Sequence, residues 1–178
     1  DLVRSRGLGD VYKRQAVSSG VAHNNALTGL ANAYFDGAPV MLITGATPGY
    51  GTGRNVFQEF DQVGLAKPIC KYAAAVNRPS DLAFQVRQAF AAAMNGRRGP
   101  VHLTIPQDVL DQEAQGYELA SDIQVQKLGP AGAEQIRRVV GLLDSSKRPL
   151  LLAGTNLFYA GDPSAMIRFC EVTCTPIV

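Results

Sequence analysis

Few side chains in this 178-residue sequence are spaced to do chemistry by themselves. Its two histidines, His23 and His102, lie in different predicted elements, and its cysteines are Cys70, Cys170 and Cys174. Cys170 and Cys174 stand at i and i+4 on a predicted helix, but no second pair accompanies them, so they read as core thiols and not as metal ligands. The sequence contains no G-x-S-x-G nucleophile elbow and no G-x-x-x-x-G-K-S/T phosphate loop. Gly49-Tyr50-Gly51-Thr52-Gly53 follows a strand, yet Ala46-Thr47-Pro48 intervenes and the third glycine is misplaced for a dinucleotide turn. It reads as a flexible loop lining a site. The most informative run is Ser18-Ser19-Gly20-Val21-Ala22-His23-Asn24-Asn25. Small residues there allow a ligand close to the backbone, and N–H groups at a helix start, with the Asn amides, suit a polar heterocycle. An ordinary capped helix is the alternative reading.

The elements that must position these residues follow from periodicity. Leu27, Leu30, Ala31 and Tyr34 mark one face of a helix, with Asn24 or Asn25 as its cap and Gly37 at its left-handed end. Pro39 opens Val40-Met41-Leu42-Ile43, a strand buried on both faces. A short helix is predicted over Phe57–Leu65 and a strand near Lys71–Val76. Ser80 caps a helix striped by Leu82, Val86, Ala89, Phe90 and Ala93, and Val101–Ile105 is a strand stopped by Pro106. Beyond this, Ile136, Val139, Val140 and Leu143 stripe a helix, Leu150–Ala153 reads as a strand, and Asp162-Pro163 opens a helix running to about Cys174. Arg97-Arg98-Gly99-Pro100 and Lys147-Arg148-Pro149 each place cations at a helix C-terminus, where they complement its dipole. The alternation predicts an α/β protein with parallel sheets flanked by helices.

Composition narrows the class. With 46% hydrophobic and 18% charged residues the chain is globular and not disordered. No apolar run nears the ~18 residues of a membrane helix. A formal charge of +2 gives no argument for nucleic acid. The cysteines form no disulfide framework, and a reducing cytoplasm is expected. Residues 1–15 carry Arg4, Arg6, Lys13 and Arg14 without helical or strand periodicity, and they account for the net charge; we expect a non-native leader. Residues 113–130 are polar, lack a clean period and end in Gly129-Pro130, which predicts a linker. The expected organisation is a domain over 16–112 and the start of a second over 131–178, with the sequence cut from a longer protein at both ends.

The stretch Asn25-Ala26-Leu27-Thr28-Gly29-Leu30-Ala31-Asn32-Ala33-Tyr34, with Asp36-Gly37-Ala38-Pro39-Val40 and Ile43-Thr44-Gly45, resembles the thiamine-diphosphate enzymes of the acetolactate synthase type. So do Phe57-Gln58-Glu59, Val63-Gly64-Leu65, Pro68-Ile69-Cys70-Lys71-Tyr72 and the long match from Arg98 to Val109. Arg148–Gly154 is similar to the opening of the family's central domain.

That resemblance implies the C-terminal part of a pyrimidine-binding domain followed by the start of a Rossmann-like central domain. It implies thiamine diphosphate with Mg²⁺, the metal and diphosphate held mainly by a domain outside this sequence, and FAD or ADP in the central domain. Gly20, Val21 and Ala22 fall on the family's Gly-Pro-Gly turn and Asn25 on its following Asn; these would approach the aminopyrimidine. Val21 and Ala22 depart from the pattern. Gln58 would line the pocket beside the thiazolium. The activating Glu belongs upstream, so no catalytic or metal-ligating residue is assigned within the sequence, and these residues alone are expected not to turn over substrate. The implied parent is a cytoplasmic homodimer, or dimer of dimers, in branched-chain amino acid biosynthesis. It would decarboxylate a 2-oxo acid and join the product to a second carbonyl. The alternatives are a 2-oxo-acid decarboxylase, glyoxylate carboligase, sulfoacetaldehyde acetyltransferase, oxalyl-CoA decarboxylase, or a non-catalytic nucleotide-binding module.

Overall fold

The computed structural model describes residues 13–113, 129–154, 157 and 163–178. The chain separates into two compact units, Asp1–Gln126 and Lys127–Val178. The first is built from β1 (Lys13–Val17), α1 (Val21–Asp36), β2 (Val40–Ala46), α2 (Gln62–Ala66), β3 (Tyr72–Ala75), α3 (Leu82–Met94), β4 (Val101–Pro106) and α4 (Gln107–Leu110). The four strands form one parallel sheet in the order β1-β2-β4-β3.

The register gives this sheet two unlike faces. Met41 pairs with Val101 and Ile43 with Leu103, and because side chains alternate along a strand these four share one side. On that side Met41, Val101 and Leu103 pack with Ala89 and Ala93 of α3, the stripe expected from periodicity. Leu42 pairs with His102 and Thr44 with Thr104, so the opposite face carries a row of polar groups. All four are buried there. Helices α1 and α2 supply the partners on that face, as His23 and Gln62 show.

Local chemistry moves several predicted boundaries. Lys13–Gln15, read as part of an unpatterned leader, lie in β1, an edge strand exposed over its first four residues; with no buried face there, no hydrophobic alternation is required. Helix α1 starts at Val21, so neither Asn24 nor Asn25 caps it; Gly20 holds the cap position at φ 57°. At its other end Gly37 adopts the expected left-handed conformation at φ 65°. The helix expected over Phe57–Leu65 begins only at Gln62, where the Asp61 carboxylate accepts the Gly64 N–H at 2.8 Å. Ser80 sits inside a single 3₁₀ turn, Pro79–Asp81, that precedes α3.

The cation before β4 serves a different helix from the one predicted. Arg97 Nη2 donates to Tyr34 O at 3.0 Å and Phe35 O at 2.9 Å, closing the end of α1, and its guanidinium lies 5.6 Å from the Tyr34 ring centre. Lys71 Nζ instead reaches Asn95 O, just beyond α3, at 2.6 Å. Arg97→Ala should therefore destabilise the α1 end by about 1 kcal/mol, through lost charge-assisted bonds at a helix C-terminus. A urea midpoint unchanged from the parent chain would refute that role.

The second unit contains α5 (Ala133–Ser145) and α6 (Pro163–Thr173). The strand expected over Leu150–Ala153 amounts to one parallel bridge, Leu151 to Ile177, flanked by Ala153 N donating to Val178 O at 2.8 Å. Asp162, which figured in the predicted start of the last helix, lies outside the described residues, as does most of the predicted linker. Cys174 is not a core thiol on a shared helix face: α6 ends at Thr173, and Cys174 is exposed at φ 50°. Among the described residues no helix is long and apolar enough to cross a membrane.

Candidate functional site

In parallel sheets ligands collect beyond the carboxyl ends of the strands, where loops and helix N-termini converge. Here β1 ends at Val17, and Ser18-Ser19-Gly20 carries the chain straight into α1. No side chain caps α1, so its first-turn donors are not closed off by an N-cap. Gly20 is buried at φ 57°, and a Cβ built there would lie 2.7 Å from Gln58 Cβ, so only glycine lets Gln58 approach this closely. Gln58 is itself held at φ 61°, and its Oε1 accepts the Ser19 hydroxyl at 2.9 Å. Two residues 38 positions apart, Gly20 and Gln58, thus meet in one contact, each in a left-handed backbone conformation.

Behind this contact lies a buried polar cluster centred on Gln62. The Gly20 N–H donates to Gln62 Oε1 at 2.8 Å. Gln62 Nε2 faces Thr44 Oγ1 at 2.9 Å, Gly45 O at 2.9 Å and Thr104 Oγ1 at 2.6 Å. Thr44 Oγ1 also lies 2.9 Å from His102 Nε2. The His102 and His23 rings are tilted against each other with centres 4.8 Å apart, and His23 Nδ1 is 3.1 Å from Asn24 Oδ1. Burial, and then the neighbouring His23, push the His102 imidazole down to about 4. Burial lowers His23 too, against the opposing bond to Asn24. Both rings are therefore neutral at pH 7.

The remaining sequence-derived candidates are placed less centrally. Val21 is exposed, Ala22 is half-buried with its N–H bonded to Ser19 O at 3.3 Å, and Asn25 is exposed on α1, away from the Ser19–Gln58–Gln62 bonds. The Gly49–Gly53 loop, expected to be flexible, is tied down: Gly49–Gly51 form a 3₁₀ turn, Gly49 N–H donates to Asp108 Oδ1 at 3.0 Å, and Gly53 N–H donates to Glu59. That last bond holds the Glu59 carboxyl below its ordinary value. Burial pushes the Cys70 thiol up to about 12, so it stays protonated and is no nucleophile. No cluster of three or more His, Cys, Asp or Glu that could hold a metal ion occurs among the described residues.

Gln62 and the buried histidine pair escaped the reading of motifs. A signal was present for His23, which precedes Leu27 by four residues and Leu30 by seven and so extends the inner stripe of α1 by a turn. For Gln62 the signal was weaker: polar Thr44 and Thr104 interrupt two apolar strands, and buried hydroxyls need partners.

Residues 15–65 match the family described as thiamine pyrophosphate enzyme, N-terminal TPP binding domain, the class this segment is similar to. Within that class the similar curated proteins are acetolactate synthases. The chain is 33% identical over 165 residues to the probable acetolactate synthase large subunit of Methanocaldococcus jannaschii, covering 90% of this chain and 28% of that one. It is 33% identical over 167 residues to the large subunit of Lactococcus lactis, covering 91% and 28%. The chain thus spans under a third of the length of these relatives. Among solved structures, a putative thiamin diphosphate-dependent enzyme from Mycobacterium smegmatis superposes with a TM-score of 0.79 at 25% identity, covering 93% of this chain and 32% of that one. Benzoylformate decarboxylase from Polynucleobacter necessarius shares the fold, with a TM-score of 0.82 at 23% identity over 93% of this chain and 31% of that one.

Proposed function

We propose that residues 16–112 form the pyrimidine-side wall of a thiamine-diphosphate site, in a longer 2-oxo-acid carboligase or decarboxylase most like acetolactate synthase. The observation that carries this reading is the Gly20 turn closed by Gln58 at the start of α1, inside the segment matching a TPP-binding family. The residues suit the group. Exposed Val21 offers an apolar contact to a flat ring, and α1 carries no side-chain cap. The Gln58 amide nitrogen has no partner among the described residues and is available to a polar edge.

When bound, the cofactor would supply carbanion chemistry and an electron sink suited to decarboxylating a 2-oxo acid. The contribution of this chain is position. Gly20, Val21 and Ala22 bring backbone close to the aminopyrimidine, Gln58 lines the approach of the carbonyl, and Asn25 stands one turn further along α1. Mg²⁺ and the diphosphate are assigned to no described residue of this chain, and FAD or ADP to the second unit only as a proposal. Pairing with a second copy fits the exposed apolar side chains Val21, Phe57 and Phe60 near the site.

Thiamine itself tests the reading. Titrated into isotope-labelled chain, it should shift the backbone amide signals of Gly20, Val21, Ala22 and Gln58 together, with weak affinity because only the ring side is engaged. Saturating thiamine that leaves these four amides unmoved would reject the assignment.

A further inference from the structure

Gln62 touches the Gly20 turn from behind, and nothing in the family assignment gives it a role. The geometry decides how its amide is oriented. A backbone N–H can only donate, so the oxygen of Gln62 faces Gly20 and its nitrogen faces Thr44, Gly45 and Thr104. Thr44 Oγ1, which accepts from Gln62, also meets His102 Nε2, tying the cluster to the buried imidazole. His23, donating from Nδ1 to Asn24, keeps a lone pair on Nε2. His102 Nδ1 and His23 Nε2, on adjacent buried rings, have no partner among the described residues.

We propose that Gln62 is the positioning residue of the site: its amide, locked by Thr44 and Thr104, holds the Gly20 peptide in its left-handed turn and so presents the turn and Gln58 to the aminopyrimidine without touching it. Gln62 is 3% exposed, so its effect must pass through Gly20. The strands β2 and β4, which carry Thr44 and Thr104, are the two central strands of the sheet, each paired on both edges. Anchoring to two strands at once is what a turn needs if it is to keep one shape before a ligand arrives. This inference rests on the reading that the Gly20 turn meets the aminopyrimidine.

The test uses the full chain and two readouts. In Gln62→Met, which keeps the volume but not the bonds, hydrogen exchange at the Gly20 amide should accelerate about tenfold or more, as expected for one lost buried hydrogen bond. The thiamine titration should weaken about fivefold or more, the scale of losing part of that same bond. Leu103→Val, on the opposite face of the sheet, supplies a stability loss without this geometry and should leave the titration unchanged. If Gln62→Met does not fold, Thr104→Val removes one anchor isosterically and should accelerate Gly20 exchange about threefold, again by partial loss of a bond. Unchanged Gly20 exchange in the folded variant overturns the proposal, as does a titration weakened equally by Leu103→Val. If the parent chain shows no response to thiamine, the cofactor reading fails, and faster Gly20 exchange would still establish the anchoring.

Discussion

Lowering the pH from 6.5 to 4 should remove roughly 3 kcal/mol of folding stability through His102 alone, at about 1.4 kcal/mol per pH unit. The ring is fully buried, and its value is pushed from 6.5 down to about 4. Between those two values the unfolded chain binds a proton that the folded chain refuses, so stability rises with pH across the window. The contribution is present in full above about pH 6.5 and is lost as pH falls toward 4. His23 is shifted in the same direction and adds to the loss. Protonation would also turn both nitrogens of each ring into donors, among them His102 Nε2 facing Thr44 Oγ1. Urea midpoints measured from pH 7 to 4.5 should fall more steeply in the parent chain than in His102→Asn, whose amide cannot titrate. Parallel slopes in the two proteins would show that the acid sensitivity comes from elsewhere.

Gly20→Ala is the second large effect, with an expected loss of about 2–5 kcal/mol and of the thiamine response. Two costs combine. A β-carbon at φ 57° carries the penalty of a left-handed conformation, about 1–2 kcal/mol. The same carbon would sit 2.7 Å from Gln58 Cβ and 3.1 Å from Gln58 O, an overlap costing about 1–3 kcal/mol. Gln58 cannot simply swing away, because its φ of 61° and its bond from Ser19 hold it. A double-mutant cycle separates the two terms. Gln58→Gly placed in the Gly20→Ala background should recover the steric part and leave the backbone part. A substitution at Gly20 that costs the same with Gln58 present or absent would mean that the contact between them is not tight.

Much of the scaffold was legible because periodicity and punctuation suffice for elements that make their own contacts. The inner stripe of α3, with Ala89 and Ala93 against Met41, Val101 and Leu103, follows from spacing alone. So does Gly37, since few other residues end a helix in the left-handed conformation. Boundaries set by side-chain bonds were less legible. The helix read from Phe57 gives way to a turn because Glu59 bonds back to Gly53 and Val56, and Asp61 then caps the residues that follow. Polar side chains that satisfy backbone donors in this way compete with helix formation, and their choice of partner is not visible in spacing.

The site divides along the same line. The sequence alone determined that a glycine-centred turn enters a helix at residue 20, that a second segment carries Gln58, and that both resemble segments of the thiamine-diphosphate enzymes. It could not determine that these segments touch, because their contact depends on two left-handed residues meeting across a folded sheet. The role of Gln62 and the neutral state of the histidines were likewise decided only by tertiary structure. Register sets Thr44 beside Thr104 and Leu42 beside His102 on one face, and burial against α1 and α2 then removes the water that would otherwise satisfy them. Once water is excluded, each polar group must take its partner from the protein, and which partner it takes is a matter of position in space.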